Sequence, residues 1–92
     1  MVADAPDAAL LTELRVLIAH AAGCAVDEVR PEGLLVGYGI DSVRAVELLD
    51  LAGERFGVSF DEADLAELRT VADVARRLRA KLVAKRAAGE AP

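Results

Sequence analysis

Few residues in this chain could do chemistry, and one serine stands out among them. Ser42 follows an acidic residue, Asp41, where the apolar, glycine-punctuated segment Leu34-Leu35-Val36-Gly37-Tyr38-Gly39-Ile40 meets an amphipathic stretch running to Phe56. A catalytic serine needs a base within hydrogen-bond reach and donors for the developing oxyanion. The only histidine, His20, lies far back in the chain, and Gly39-Ile40-Asp41-Ser42-Val43 is not the Gly-x-Ser-x-Gly elbow of hydrolases. The plainest structural role for Ser42 is to cap the helix it opens. Cys24 and His20 are spaced i, i+4, but Gly23 interrupts a helix between them and no third group orients the pair. Cys24 therefore reads as a small packing residue and His20 as a surface one. A single cysteine excludes an internal disulfide, and a single histidine argues against a structural zinc site.

The elements that must position Ser42 are helical. Leu10, Leu11, Leu14, Leu17, Ile18 and Ala21 recur at helical spacing from about Asp7, after a frayed lead-in over residues 1–6. Pro6 suits the first turn of that helix and Gly23 its end. Residues 23–41 are too long for an idle loop, so they are expected to pack, anchored by Val26, Val29, Leu34, Leu35 and Ile40. Asp27-Glu28-Val29 suggests a short helical turn, Pro31 fixes the chain direction, and Tyr38 is expected to close the bundle, with a place beside whatever Ser42 carries as the alternative. In the helix from Ser42 to Phe56, Ala45, Leu48, Leu49, Ala52 and Phe56 share the core face. Val43, Glu47, Asp50 and Glu54, with Val46 alongside, form a mixed apolar and acidic stripe leading away from the serine. Gly57 suits the C′ position. Asp61 reads as the cap of a short third helix with Ala63, Leu65 and Leu68 as its apolar members. Thr70-Val71-Ala72-Asp73 reads as a capping box with Asp in place of Glu. The last helix turns Val71, Val74, Ala75, Leu78 and Leu82 inward and most of its cations outward, and Ala87–Pro92 are expected to be disordered. The fold class is therefore all-α: a four-helix bundle of three main helices and one short third helix, with a long packed loop between the first and second. The 92 residues form a single domain with an ordered core over about 7–84.

Gly39-Ile40-Asp41-Ser42-Val43, followed by Glu47-Leu48, Phe56, Phe60 and Thr70-Val71, resembles the Gly-x-Asp-Ser-Leu signature and later landmarks of the acyl carrier proteins, over about Leu10 to Leu82. The motif alone is short enough to arise by chance; its place in a helical chain of this length is what carries the resemblance. The resemblance implies a non-catalytic protein whose Ser42 hydroxyl carries 4'-phosphopantetheine, taken from CoA by a phosphopantetheinyl transferase with Mg²⁺. It further implies that cargo rides on the arm's thiol as a thioester. Asp41 is given a supporting role, orienting the transferase or its metal. Val43, Arg44, Val46, Glu47, Asp50 and Glu54 are the candidate docking residues for partner enzymes. Fatty-acid carriers often have Glu-Asp-Leu-Gly ahead of the motif and an acid two residues past the serine. Here Val36-Gly37-Tyr38-Gly39 and Arg44 stand in those places. Those departures look closer to carriers of secondary metabolism. A free-standing carrier of polyketide or mixed polyketide–peptide biosynthesis is the preferred reading, served by an acyltransferase and a ketosynthase. The alternatives are a peptidyl or aryl carrier loaded by an adenylating enzyme, and a helical interaction module that only borrows the fold.

Composition bounds the partners. Hydrophobic residues make up 54% of the chain and aromatic ones only 3%, so the core must be built of Leu, Val and Ala. The net charge of −5 divides unevenly: residues 1–72 hold 14 acids and five bases (−9), residues 73–92 two acids and six bases (+4). An acidic body disfavours nucleic acid and suits partners with basic patches. No apolar run approaches the ~20 residues needed to span a bilayer. The first residues lack a secretory pattern, so cytoplasmic residence is expected; the chain is also expected to be a monomer.

Overall fold

The computed structural model describes the backbone of residues 4–90 and the side chains of residues 8–87. Four helices follow in order: α1 Asp4–Ala22, α2 Ser42–Phe56, α3 Glu62–Glu67 and α4 Val71–Glu90. The fold is the all-α bundle expected, with three main helices and one short one. No strand occurs among the described residues; the only β pairing is one antiparallel bridge between Leu34 and Thr70.

One apolar cluster joins the elements. Leu14 and Ile18 of α1 meet Ala45, Leu48 and Leu49 of α2 and Val71 and Val74 of α4, while Val29, Leu35 and Ile40 enter from the connection between α1 and α2. Removing a fully buried leucine such as Leu14 would cost about 3–5 kcal/mol, because the lost transfer energy adds to the cavity left behind. The periodicity of α1 and α4 thus translates directly into burial. Phe56, expected on the core face of α2, is only half-buried at the helix end, where its ring sits under the Arg55 guanidinium.

The connection is packed, as its length and apolar content required. Val26–Glu28 form a 3-10 turn, and Leu35–Tyr38 form a second that the sequence pattern did not announce. Of the five expected anchors, Val29, Leu35 and Ile40 are buried, but Val26 and Leu34 are exposed. The reason is geometric: Leu34 pairs its backbone with Thr70, which turns its side chain away from the cluster that Leu35 enters. Backbone bonds then fasten the segment to the start of α4, with Leu35 N donating to Arg69 O (2.9 Å), Val71 N to Gly33 O (3.0 Å) and Ala72 N to Pro31 O (2.7 Å). Tyr38 closes the loop: its hydroxyl donates to Glu28 O (3.0 Å) and accepts from Arg30 N (2.8 Å).

α3 is held differently. Its expected apolar members are weakly committed, with Ala63 exposed and Leu65 and Leu68 half-buried. A six-residue helix cannot bury a full face, so polar contacts complete its attachment. Asp61 and Asp64 cap the helix reciprocally at 2.9 Å, and the buried Asp64 carboxylate takes Lys81 at 2.9 Å and Arg77 at 3.2 Å from α4. The Thr70–Asp73 capping box forms as read, with both bonds at 3.0 Å.

The helices run farther than the sequence suggested. Residues 4–6, expected in a frayed lead-in, belong to α1, and residues 87–90, expected to be disordered, continue α4. Alanine, lysine and arginine dominate that end of α4, and all three favour helix. The rest of the expected lead-in and tail, residues 1–3 and 91–92, lies outside the described residues.

Candidate functional site

Ser42 occupies the first helical position of α2 and is exposed. It does not cap the helix. Asp41 does, with extended backbone (φ −81°, ψ −173°) and its Oδ1 accepting from Arg44 N at 2.9 Å. The plain capping role that competed for Ser42 is therefore filled by its neighbour. The Ser42 side chain makes no hydrogen bond to any described residue, so its hydroxyl is available to solvent and to other molecules. Gly39 sets up the approach: at φ +79° it reverses the chain after the second 3-10 turn, where a β-carbon would be strained, and Ile40 then drops into the core. Buried Ile40 and capping Asp41 thus fix the residues just ahead of the serine without enclosing it.

An open cleft of about 520 Å³ lies beside Ser42. Its walls are mostly apolar, from Val36 and Ile40 of the connection, Ala45 of α2, and Leu65 and Leu68 at α3. Asp41 and Arg69 are its charged residues.

The expected docking residues all lie at the surface: Val43, Arg44, Val46, Glu47, Asp50 and Glu54 are exposed. Val43 is 68% and Val46 45% exposed, so neither is spent on the core. No described residue forms an ion pair with Glu47, Asp50 or Glu54. Arg44 stands apart. Its guanidinium reaches back to accept a structural task, donating to Ala21 O at 3.1 Å and so satisfying a carbonyl at the end of α1. Three further surface residues extend the apolar part of this face and escaped the sequence reading: Val36 is 73%, Leu34 53% and Leu51 46% exposed. Leu34 is an apolar residue next to the core-bound Leu35, and Val36 sits in a turn without helical periodicity to place it.

The other chemical candidates form no site. His20 is exposed on α1. Burial first, and then the Glu28 carboxylate, push the Cys24 thiol above its ordinary value, away from the thiolate that reacts. No group of three His, Cys, Asp or Glu residues among those described could hold a metal ion. No helix of the described residues is long and apolar enough to cross a membrane.

A free hydroxyl on the first turn of a helix, beside an apolar cleft and with no base attending it, suits a point of attachment rather than a nucleophile. The sequence matches the phosphopantetheine attachment site family over residues 12–78, most of the chain. The chain belongs to that family. Phosphopantetheine-attachment proteins are non-catalytic carriers that bear 4'-phosphopantetheine covalently, and they work with a phosphopantetheinyl transferase and with biosynthetic enzymes. The matched span starts in α1 and closes at Leu78 of α4, so it takes in every element that holds Ser42 in place.

The residues present fit the group. A phosphodiester on Ser42 would lie at the positive end of α2, where the backbone amides of Ser42 and Val43 have no partner among the described residues. When bound, the arm supplies a terminal thiol that holds an acyl group as a thioester.

Proposed function

We propose that Ser42 is the attachment point, and that the protein carries acyl intermediates for polyketide or mixed polyketide–peptide biosynthesis. In the loading step the Ser42 Oγ attacks the pantetheine-side phosphorus of CoA. The pyrophosphate P–O bond breaks, 3',5'-ADP leaves, and the hydroxyl proton passes to a base on the transferase. The observation that carries this reading is the division of labour between Asp41 and Ser42: the acid caps the helix, and the serine keeps its hydroxyl uncommitted. Asp41 also places a carboxylate beside the reacting oxygen, which suits it to orient the transferase or its Mg²⁺.

The surface beside Ser42 is the docking strip for the transferase and for an acyltransferase, a ketosynthase or an adenylating or ligating enzyme. Exposed Val43 and Val46 supply apolar contact, and the unpaired Glu47, Asp50 and Glu54 complement a basic rim on the partner. Arg44 contributes less to docking than its position suggests, since its guanidinium holds the end of α1. The protein works as a cytoplasmic monomer.

Intact-mass spectrometry after incubation with CoA, Mg²⁺ and a broad-specificity transferase tests the attachment. One added phosphopantetheinyl group, abolished in Ser42→Ala, is expected. No addition under conditions that load a control carrier would overturn the assignment of Ser42.

A further inference from the structure

A phosphodiester on Ser42 raises an electrostatic question that the surrounding residues answer. It would sit next to the Asp41 carboxylate, which is held in place by its bond to Arg44 N, so like charges would adjoin. A nearby cation would relieve that repulsion. Arg44, the closest in sequence, has its guanidinium turned to Ala21 O. The cation that lines the same cleft as Ser42 and Asp41 is Arg69, at the junction of α3 and α4.

Arg69 is well fixed at its backbone and uncommitted at its tip. Its N–H donates to the Asp73 carboxylate at 3.0 Å and its carbonyl accepts from Leu35 N at 2.9 Å, so the Cα is tied both to α4 and to the segment leading to Ser42. The side chain is exposed and forms no ion pair with a described residue. A guanidinium presents several donors in a plane that matches phosphate oxygens, which an ammonium does not. Next to it the cleft is apolar, walled by Val36, Leu65 and Leu68. The part of the arm that follows the phosphodiester carries two geminal methyl groups, and the apolar cleft wall beside Ser42 offers a surface of matching chemistry.

Resting on the assignment of Ser42 as the attachment point, we propose that Arg69 is a positioning residue for the prosthetic arm. Its guanidinium pairs with the phosphodiester on Ser42 and lays the proximal arm across the cleft. The arm then leaves the carrier in a preferred direction. The pair is exposed to solvent, so the bias is modest, roughly 1.5- to 5-fold in the docked fraction, as for other exposed ion pairs.

The test uses the protein loaded with isotope-labelled phosphopantetheine, with loading verified by intact mass. Wild type is compared with Arg69→Gln and Arg69→Lys by ³¹P chemical shift, by relaxation of the arm's geminal methyls, and by nuclear Overhauser effects from those methyls to Leu65 and Leu68. In wild type the methyls contact the cleft and relax as partly ordered groups. Arg69→Gln shifts the ³¹P signal, weakens the contacts and frees the methyls, while Arg69→Lys restores part of each. Raising the salt moves wild type toward Arg69→Gln and leaves that variant unchanged. Identical ³¹P shifts and methyl relaxation in wild type and Arg69→Gln would overturn the proposal while leaving Ser42 as the attachment point. Failure of the wild type to load would overturn both.

Discussion

Lys81 of α4 reaches 2.9 Å to the buried carboxylate of Asp64, and that contact, with Arg77 at 3.2 Å, fastens α3 to the bundle. The carboxylate is 4% exposed, yet both cations keep part of their surface in water. Lys81 also lies over the Phe60 ring, 5.3 Å from its centroid, so one side chain serves the loop and the helix together. α3 in turn brings Leu65 and Leu68 to the cleft beside Ser42. The ion cluster that holds α3 therefore also holds the wall of the cleft.

Loss of Asp64 is therefore expected to destabilise the fold and loosen the cleft together. Asp64→Ala removes one of the two reciprocal capping bonds and leaves two cations without their shared anion; because both can turn to solvent, the cost is about 2–3 kcal/mol. Urea denaturation measures it. Hydrogen exchange should show the amides of α3 opening first, and protection unchanged from wild type would contradict this account of how α3 is held.

The same carboxylate sets an acid limit. Burial works against the charge of Asp64, but the Lys81 hydrogen bond, the Asp61 amide and the two cations outweigh it and hold its carboxyl below the usual range. The Thr70 and Arg69 amides do the same for Asp73. Both groups thus have lower values folded than unfolded, where a carboxyl titrates near ~3.9. In the window between, the unfolded chain binds more protons, so stability rises with pH there. The contribution is complete above the unfolded value and is lost as pH falls through the lowered folded ones. Thermal melts from neutral pH into acid should show this loss, with a shallower decline in Asp64→Ala.

Asp41 has two proposed tasks that substitution can separate. Asp41→Ala loses the cap and about 1 kcal/mol. Asp41→Asn keeps a capping oxygen but no charge, so its melting temperature should stay near wild type. If the carboxylate orients the transferase or its metal, Asp41→Asn still loads with a kcat/KM lowered about tenfold or more, as for loss of a charged contact. Equal loading of Asn and wild type would leave Asp41 as a cap alone.

Charge reversal on the exposed face of α2 tests docking. Glu47→Lys or Asp50→Lys is expected to slow loading and acyl transfer, with the effect shrinking at high salt, while the helical CD signal stays intact. Parallel loss of fold and activity would remove the docking strip.

Gly53 shows packing overruling propensity. Alanine favours helix by about 1 kcal/mol over glycine. Here, though, a β-carbon would come within 2.6 Å of the Val58 carbonyl, a backbone atom that cannot step aside cheaply. Gly53→Ala should therefore destabilise, by about 1–3 kcal/mol as for other overpacked sites, measured by chemical denaturation.

Periodicity made the helices legible, because Leu10, Leu11, Leu14, Leu17 and Ile18, or Val71, Val74 and Leu78, share a face at 3.6 residues per turn and not at the period of two of a strand. The cap at Asp61 and the capping box at Thr70 were equally legible, since a cap is a local bond between residues three apart. The connection from 23 to 41 was not. Leu34 and Leu35 are the same residue type in adjacent positions, and only the backbone pairing with Thr70 decides that one is exposed and the other buried.

The linear chain by itself determined a helical bundle, the place of Ser42 at a helix start and the acids that follow it, because these rest on local spacing. Only the tertiary structure decided that Arg44 is drawn to the end of α1 and that Arg69 comes to the cleft beside the serine. Arg44 meets Ala21 across 23 positions and Arg69 lines the cleft of a serine 27 positions earlier, and no local pattern encodes where the chain will bring such residues together.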